Sequence, residues 1–357
     1  MASFEPDADG VTATLTDEAS GERSQVRARF LLGADGWRSD VRALAGIGLT
    51  GGEAGRQRSI RFRADLSRWL GSPPPVFVRF PHQEAVLLPT HADDRWVLST
   101  MTGDEDAVAL LGRVLGVDAS PPVLGDGEWL AAIQRADALR AGPVFLLGDA
   151  AHRVTPAGAQ GISMAVADAL NLAWKLAAAV QGWAGPDLLD TYQTERAPVI
   201  DHALEVNRLM WADLRAGRPS NNDLRLLDMG YRYVSPIVQP ADPAPDADAY
   251  VPSAEPGDRA PHAWLAGGRS TLDAYGRGFV LASAGGWSDA VARVAASSPV
   301  PLAALDLDTP DAVALYGVGD GGAVRVRPDG HVAWRLAASE GAEGLAAAVL
   351  TSAGFVP

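Results

Sequence analysis

The sequence predicts an α/β protein built from more than one unit, and three observations carry that reading. Residues 30–32 and 143–147 are continuously apolar and each run ends in small residues and an aspartate, as buried strands do when they enter a loop. Residues 57–101 instead alternate polar and apolar positions between turn residues, the mark of an antiparallel sheet. Residues 255–357 return to alternating strand and helix patterns. At 357 residues the chain is also longer than one hydrophobic core supports.

Each element follows from local chemistry. Residues 11–15 alternate, Asp9-Gly10 marks a hairpin, residues 17–22 form a turn, and residues 25–32 alternate before becoming wholly apolar. A short helix is expected within 36–50. Strands are expected at 58–63, 75–81, 84–89 and 95–100, and a helix at 129–139. The apolar strand 143–147 leads through a loop containing proline and glycine to a long helix over 162–181. There Ile162, Val166, Ala169, Leu172, Ala173, Leu176 and Val180 keep helical spacing. A second helix is expected over 186–210. Residues 216–260 are rich in Pro, Asp, Ala and Ser and read as a linker. Further elements are expected at 278–282, 290–296, 313–318, 323–327 and 331–336, with Pro328-Asp329-Gly330 turning a hairpin.

Composition narrows the function. The formal charge is -14, which argues against a nucleic-acid or anionic-lipid partner. There is no cysteine, so disulfides, thiolate metal sites and cysteine nucleophiles are excluded. The six histidines are never spaced three to five apart, so no helical metal pair is expected. Acidic residues in place of a basic leader, and no long uninterrupted apolar run, suggest a cytoplasmic protein with no membrane span. The basic residues are 29 arginines and one lysine, Lys175.

Two segments carry candidate chemistry. In the first, Gly33-Ala34-Asp35-Gly36-Trp37-Arg38-Ser39 follows an apolar strand and precedes a helix. Gly33 and Gly36 allow close backbone approach and Asp35 can hold a hydroxyl, although an ordinary Asp-Gly turn reads the same way. In the second, Gly148-Asp149-Ala150-Ala151-His152 leads through Pro156, Gly158 and Gly161 to Ile162 and Ser163 at a helix start, a place suited to negative charge on a planar ligand. Gly161-Ile162-Ser163-Met164-Ala165 only approaches a hydrolase nucleophile elbow, and no triad accompanies it. His152 reads as a structural or loop histidine, with a general base as the alternative.

Together these segments resemble the two later flavin motifs of the class A flavoprotein monooxygenases, the p-hydroxybenzoate hydroxylase-like aromatic hydroxylases. Asp35, Gly36, Ser39 and Arg42 match one motif. Gly148, Asp149, His152 and Pro156 match the other, followed by the helix 168–176. Residues 230–236, 256–262 and 327–335 resemble the polyketide-tailoring branch.

The resemblance implies an incomplete Rossmann-like FAD-binding part, an antiparallel substrate-domain sheet and a C-terminal thioredoxin-like α/β domain. The implied divisions are 1–50, 51–140, 141–215, a linker at 216–255, and 256–357. FAD would be held by Asp35, Gly36, Gly148, Asp149, Pro156, Gly158, Gly161, Ile162 and Ser163. NAD(P)H would reduce it, and a flavin hydroperoxide would hydroxylate an aromatic polyketide lying near His82 and Trp96.

The chain departs from that family in two ways. Its loop has Ala159, Ser163 and Ala165 where the family has Gly, Asn and Gly. It also shows no opening strand, G-x-G-x-x-G turn and helix ahead of the first segment, so roughly 120 residues of dinucleotide-binding half are not found. Three readings of that gap stay open: a misassigned start, a separate polypeptide or dimer partner that covers the sheet, or a flavin-free homologue. The last would be a binding protein or a non-redox cyclase or isomerase. The apolar strands 30–32 and 144–147 are expected to be uncovered.

Overall fold

A computed structural model describes residues 1–90, 94–101, 105–116, 121–219, 222–241 and 248–355. His91 and the centre of the Pro- and Asp-rich linker lie outside the described residues.

The chain begins with β1 (Ser3–Asp7), β2 (Gly10–Thr16), β3 (Arg23–Ala28), β4 (Leu31–Gly33), α1 (Asp40–Leu44) and β5 (Leu49–Arg63). It continues with α2 (Ser67–Leu70), β6 (Val78–Phe80), β7 (Ala85–Pro89), β8 (Arg95–Thr100), α3 (Ala107–Leu115), β9 (Val123–Ala136), β10 (Arg140–Ala141), β11 (Val144–Leu146) and β12 (His152–Arg153). Two long helices follow, α4 (Gln160–Gln181) and α5 (Thr191–Arg215), then short α6 (Leu224–Met229). The last unit holds β13 (Phe279–Ser283), α7 (Ser288–Ser297), β14 (Leu302–Asp306), α8 (Pro310–Tyr316), β15 (Ala323–Val326), β16 (Val332–Leu336) and α9 (Gly341–Ser352).

Four sheets result. Strands β1-β2-β3 form an antiparallel meander, and β10-β11-β4 form a small sheet in which β11 and β4 run parallel. A six-stranded antiparallel sheet has the order β12-β9-β5-β8-β7-β6. The last sheet, β14-β13-β15-β16, pairs β13 parallel to β14 and antiparallel to β15.

The helix expected at 129–139 is instead the long strand β9. Residues 129–133 are all apolar or partly so, which fits either period, and pairing with β5 along most of its length settles the matter. That pairing also extends β5 back to Leu49, through a stretch rich in glycine. Gly51 (φ +115°) lies so close to Ile133 that a Cβ would meet its carbonyl oxygen at 2.2 Å, so glycine is what lets the strand pass here. Strand β14 and helix α9 escaped the sequence pattern. Part of the expected linker is core: Tyr233, Ile237 and Val238 are buried, the last two in one cluster with Trp174, Trp183 and Phe279.

The expectation of uncovered strands is half corrected. Val144, Phe145 and Leu146 are fully buried, because α5 lies over β11: Tyr192 and Ile200 share its cluster, and the Tyr192 hydroxyl donates to the Leu146 carbonyl at 2.7 Å. Strand β4 does form one edge of its sheet among the described residues, and Leu32 is 45% exposed. Ile162, Val166 and Leu170, one stripe of α4, are also exposed.

Helix α4 with its preceding turn is long and apolar enough to cross a membrane by composition. Its buried face carries Asp168, Asn171 and Lys175, all bonded to α5, which is how a core helix packs.

One core position is costly. Arg325 on β15 is fully buried over the Phe279 ring at 4.6 Å, bonds Ser352 through one nitrogen, and leaves Nε and the other terminal nitrogen without partners among the described residues. Burial, then the neighbouring Arg327, lowers its pKa to about 9. Arg325→Met should therefore stabilise the protein by about 1–3 kcal/mol, read as a higher urea midpoint at unchanged slope.

Candidate functional site

The site begins with strand pairing. Because β4 and β11 are parallel and in register from Leu31/Val144 to Gly33/Leu146, their C-terminal ends emerge side by side. The loops that follow carry Asp35 and Asp149. In open α/β sheets such adjoining strand ends are where ligands bind.

Asp35 is spent locally. Its carboxylate accepts from the Ser39 hydroxyl at 2.5 Å and the Val41 N–H at 3.0 Å. Burial alone would raise its pKa, but these hydrogen bonds hold it below the ordinary carboxyl range. Ser39 in turn caps α1 through the Arg42 N–H. Arg42 then reaches across to the second loop, donating to the Ala150 carbonyl at 2.9 Å. Asp35 thus shapes the first turn, and Arg42 fastens it to the second. Gly36, at φ +79°, makes the turn possible, and a Cβ there would meet open space.

Asp149 is different. It is exposed, and its carboxylate makes no hydrogen bond or ion pair among the described residues. The turn that presents it is rigid, since the Gly148 N–H donates to Asp168 Oδ2 at 3.0 Å. Asp168, on α4 and fully buried, also meets His152 Nε2 at 2.6 Å and accepts from Arg196 Nε of α5 at 2.8 Å. Burial pushes its pKa up, but His152 and Arg196 outweigh that and keep it lowered. His152 is therefore a structural histidine, buried and engaged with Asp168.

Beyond His152, Pro156 leads into a tight turn. Gly158 takes φ +77° against the Met210 side chain, and Ala159 takes φ +54° as the residue before α4. The α4 N-terminus has no side-chain cap, so Ser163 does not serve as one. Ile162 stands 80% exposed beside it. The open N–H groups, a neighbouring apolar surface and the exposed Asp149 carboxylate suit a planar, electron-rich ring bearing a hydroxylated chain. Ala165, the third departure in the loop, places its methyl near Gly148, 3.5 Å from where a Cβ would stand.

The substrate residues chosen from sequence are not brought together. Trp96 is 2% exposed in the core between the six-stranded sheet and α3, and its Nε1 donates to the Ala64 carbonyl. His82 is exposed in a short turn after β6. A groove of about 720 Å³ lies instead between β5, β9 and α5, lined by Gly51, Gly55, Ile133, Leu204, Arg208 and Trp211. No single segment signals it, because its walls come from three elements far apart in the chain. Trp37 is half-exposed beside the first turn, between the Arg38 and Arg153 guanidiniums at 4.5 and 4.7 Å.

Two adjoining parallel strand ends and an uncapped helix start are features that a nucleotide-type cofactor site uses. Residues 1–207 match the family described as FAD binding domain, and residues 253–354 match the aromatic-ring hydroxylase C-terminal domain. The chain belongs to this family of FAD-binding aromatic-ring hydroxylases. A putative polyketide hydroxylase of Streptomyces halstedii is 39% identical over 384 residues, covering 94% of this chain and 69% of that protein. RebC with bound 7-carboxy-K252c superposes with a TM-score of 0.88 at 34% identity, over 99% of this chain and 73% of that one. Aklavinone-11 hydroxylase in complex with FAD and aklavinone gives a TM-score of 0.87 at 33% identity, over 98% of this chain and 72% of that one.

Two predictions follow from the geometry. Ala159→Gly should stabilise the protein by about 1 kcal/mol, since an L-residue is strained in the left-handed region, and a denaturant titration measures this. The carboxylates of Asp168 and Glu195 (buried on α5) both have lowered pKa values in the folded protein. The unfolded chain then binds more protons as the pH falls below about 4.5, the ordinary glutamate value. Stability should be present above that pH and drain away below it, as thermal melts between pH 6 and 3 will show.

Proposed function

We propose that the chain acts as an FAD-dependent hydroxylase on a polycyclic aromatic of the polyketide type. The single observation that carries this reading is the parallel β4–β11 pairing. It sets the Asp35 turn and the exposed Asp149 side by side, with the uncapped start of α4 following in the second loop. When bound, FAD would supply the oxygen-transfer chemistry, with NAD(P)H as reductant and O2 as the oxygen source.

The chain's own residues would bind and orient. Asp149 would accept hydrogen bonds from the ribityl hydroxyls. The N–H groups at Gly161 and Ile162 would lie along the ring's electron-rich edge. Pro156, Gly158 and Ser163 would shape the loop around it, while Asp35 and Gly36 would hold the first turn near the pyrophosphate. The groove between β5, β9 and α5 is large enough for a polycyclic substrate.

The uncovered β4 edge and the Ile162–Val166–Leu170 stripe would receive a further strand-and-helix unit. That unit could belong to the same polypeptide or to a partner. We read residues 256–357 as thioredoxin-like on connectivity, since β13-α7-β14-α8-β15-β16-α9 places β13 inside a mixed four-stranded sheet. With no cysteine in the chain its role is structural.

Titrating FAD into the purified chain tests the reading. The flavin fluorescence should be quenched stoichiometrically, and Asp149→Ala should weaken binding about tenfold or more while the circular dichroism is unchanged. A folded chain that ignores excess FAD yet binds a polycyclic aromatic would overturn it in favour of a flavin-free binding protein.

A further inference from the structure

The last unit meets α4 and α5 through a closed set of buried charges. Arg327, at the hairpin after β15, is fully buried. One of its terminal nitrogens donates to Glu195 Oε1 at 2.6 Å and the other to Glu195 Oε2 at 3.0 Å. The same carboxylate accepts from Lys175 Nζ at 2.7 Å, Asn171 Nδ2 at 2.7 Å and the Ser235 hydroxyl at 2.7 Å. Asp329 accepts from Arg327 and from Trp174 Nε1. Two cations and two anions balance, and every carboxylate oxygen has a donor.

Glu195 and Arg196 are consecutive on α5. Where Glu195 turns toward the last unit, Arg196 turns toward Asp168, the carboxylate that fixes the Gly148 N–H. A second route runs in parallel. Arg327 lies over the Tyr233 ring at 5.2 Å, and the Tyr233 hydroxyl accepts from Arg196 at 3.4 Å. An unbroken buried path therefore joins the hairpin of the last unit to the turn that presents Asp149.

We propose that Arg327 is a positioning residue for the Gly148–Asp149 turn, acting through Glu195, Arg196 and Asp168. The functional meaning of that turn rests on the flavin reading above, but the mechanical link does not. Low dielectric makes such a path stiff when fully paired and costly when one member is lost, so a disturbance at one end is felt along it. The sequence supplies its own probe. Lys175 is the sole lysine, it sits in the cluster fully buried, and burial followed by repulsion from Arg327 lowers its pKa to about 8 despite its pairing with Glu195.

The test compares the full chain with the charge-neutral double variant Arg327→Met/Asp329→Asn. Two quantities are read: hydrogen exchange at the Gly148 amide, and acylation of Lys175 by an amine-reactive ester, localised by peptide mass. Amides of Val280–Ala282 in β13 serve as the folding control. Both quantities should rise about tenfold while the β13 amides keep their protection. If Lys175 opens and Gly148 stays as protected as in the parent, the ions merely glue two units together and the proposal fails; unchanged rates at both also overturn it.

Should β13 lose protection as well, the nearly isosteric Asp329→Asn alone decides. A folded variant should show the same pattern at about threefold, and unchanged Gly148 exchange overturns the proposal. Neither readout contains a flavin, so their failure leaves the FAD reading standing. Conversely, a folded parent chain that ignores excess FAD sinks the flavin reading alone.

Discussion

The buried carboxylate of Asp168 is the point on which the site depends. It gathers a backbone N–H from the Gly148 turn, the His152 ring and the Arg196 guanidinium, and so ties β11's exit loop, α4 and α5 into one geometry. A carboxylate in this position cannot be left half paired. Its desolvation is offset only when each oxygen has a donor, which makes the arrangement all or none. Because Asp168 is occupied in this way, Asp149 one residue beyond Gly148 can stay exposed and uncommitted on a rigid turn.

The two acidic strand ends divide the work. Asp35 is consumed in building its own turn, capping a helix of five residues through Ser39 and Val41. Asp149 is held out toward solvent. Arg42 joins the two turns by donating to Ala150, so their spacing is fixed by a side chain as well as by the β4–β11 ladder. A site made this way is preorganised: the open N–H groups of α4 and the exposed carboxylate hold their relation before any ligand arrives.

Charge burial on this scale does not add stability by itself. Hydrophobic replacements of equal volume are often as stable or more so, and what an ion cluster contributes is a single allowed arrangement. Here the cluster of Lys175, Glu195, Arg327 and Asp329 lies where the last unit meets the two long helices. The same contact contains an apolar patch of Trp174, Trp183 and Phe279, whose rings pack with centroids 5.7–6.3 Å apart. The patch supplies the burial energy, and the ions fix the register in which it forms.

The sequence by itself determined the strand-loop-helix units, the antiparallel block, the alternating last unit and the two motif loops, because hydrophobic period and glycine placement are local signals. It also marked Ala159 as a position where glycine is expected, and the left-handed backbone there explains why. Only the tertiary structure decided the rest. Residues 129–133 became strand because β5 lay alongside, and residues 144–146 became core because α5 covered them. Trp96 went to the interior of a sheet rather than to a ligand. The groove and the ion path are assembled from residues far apart in the chain, and long-range pairing energy leaves no periodic trace in a sequence.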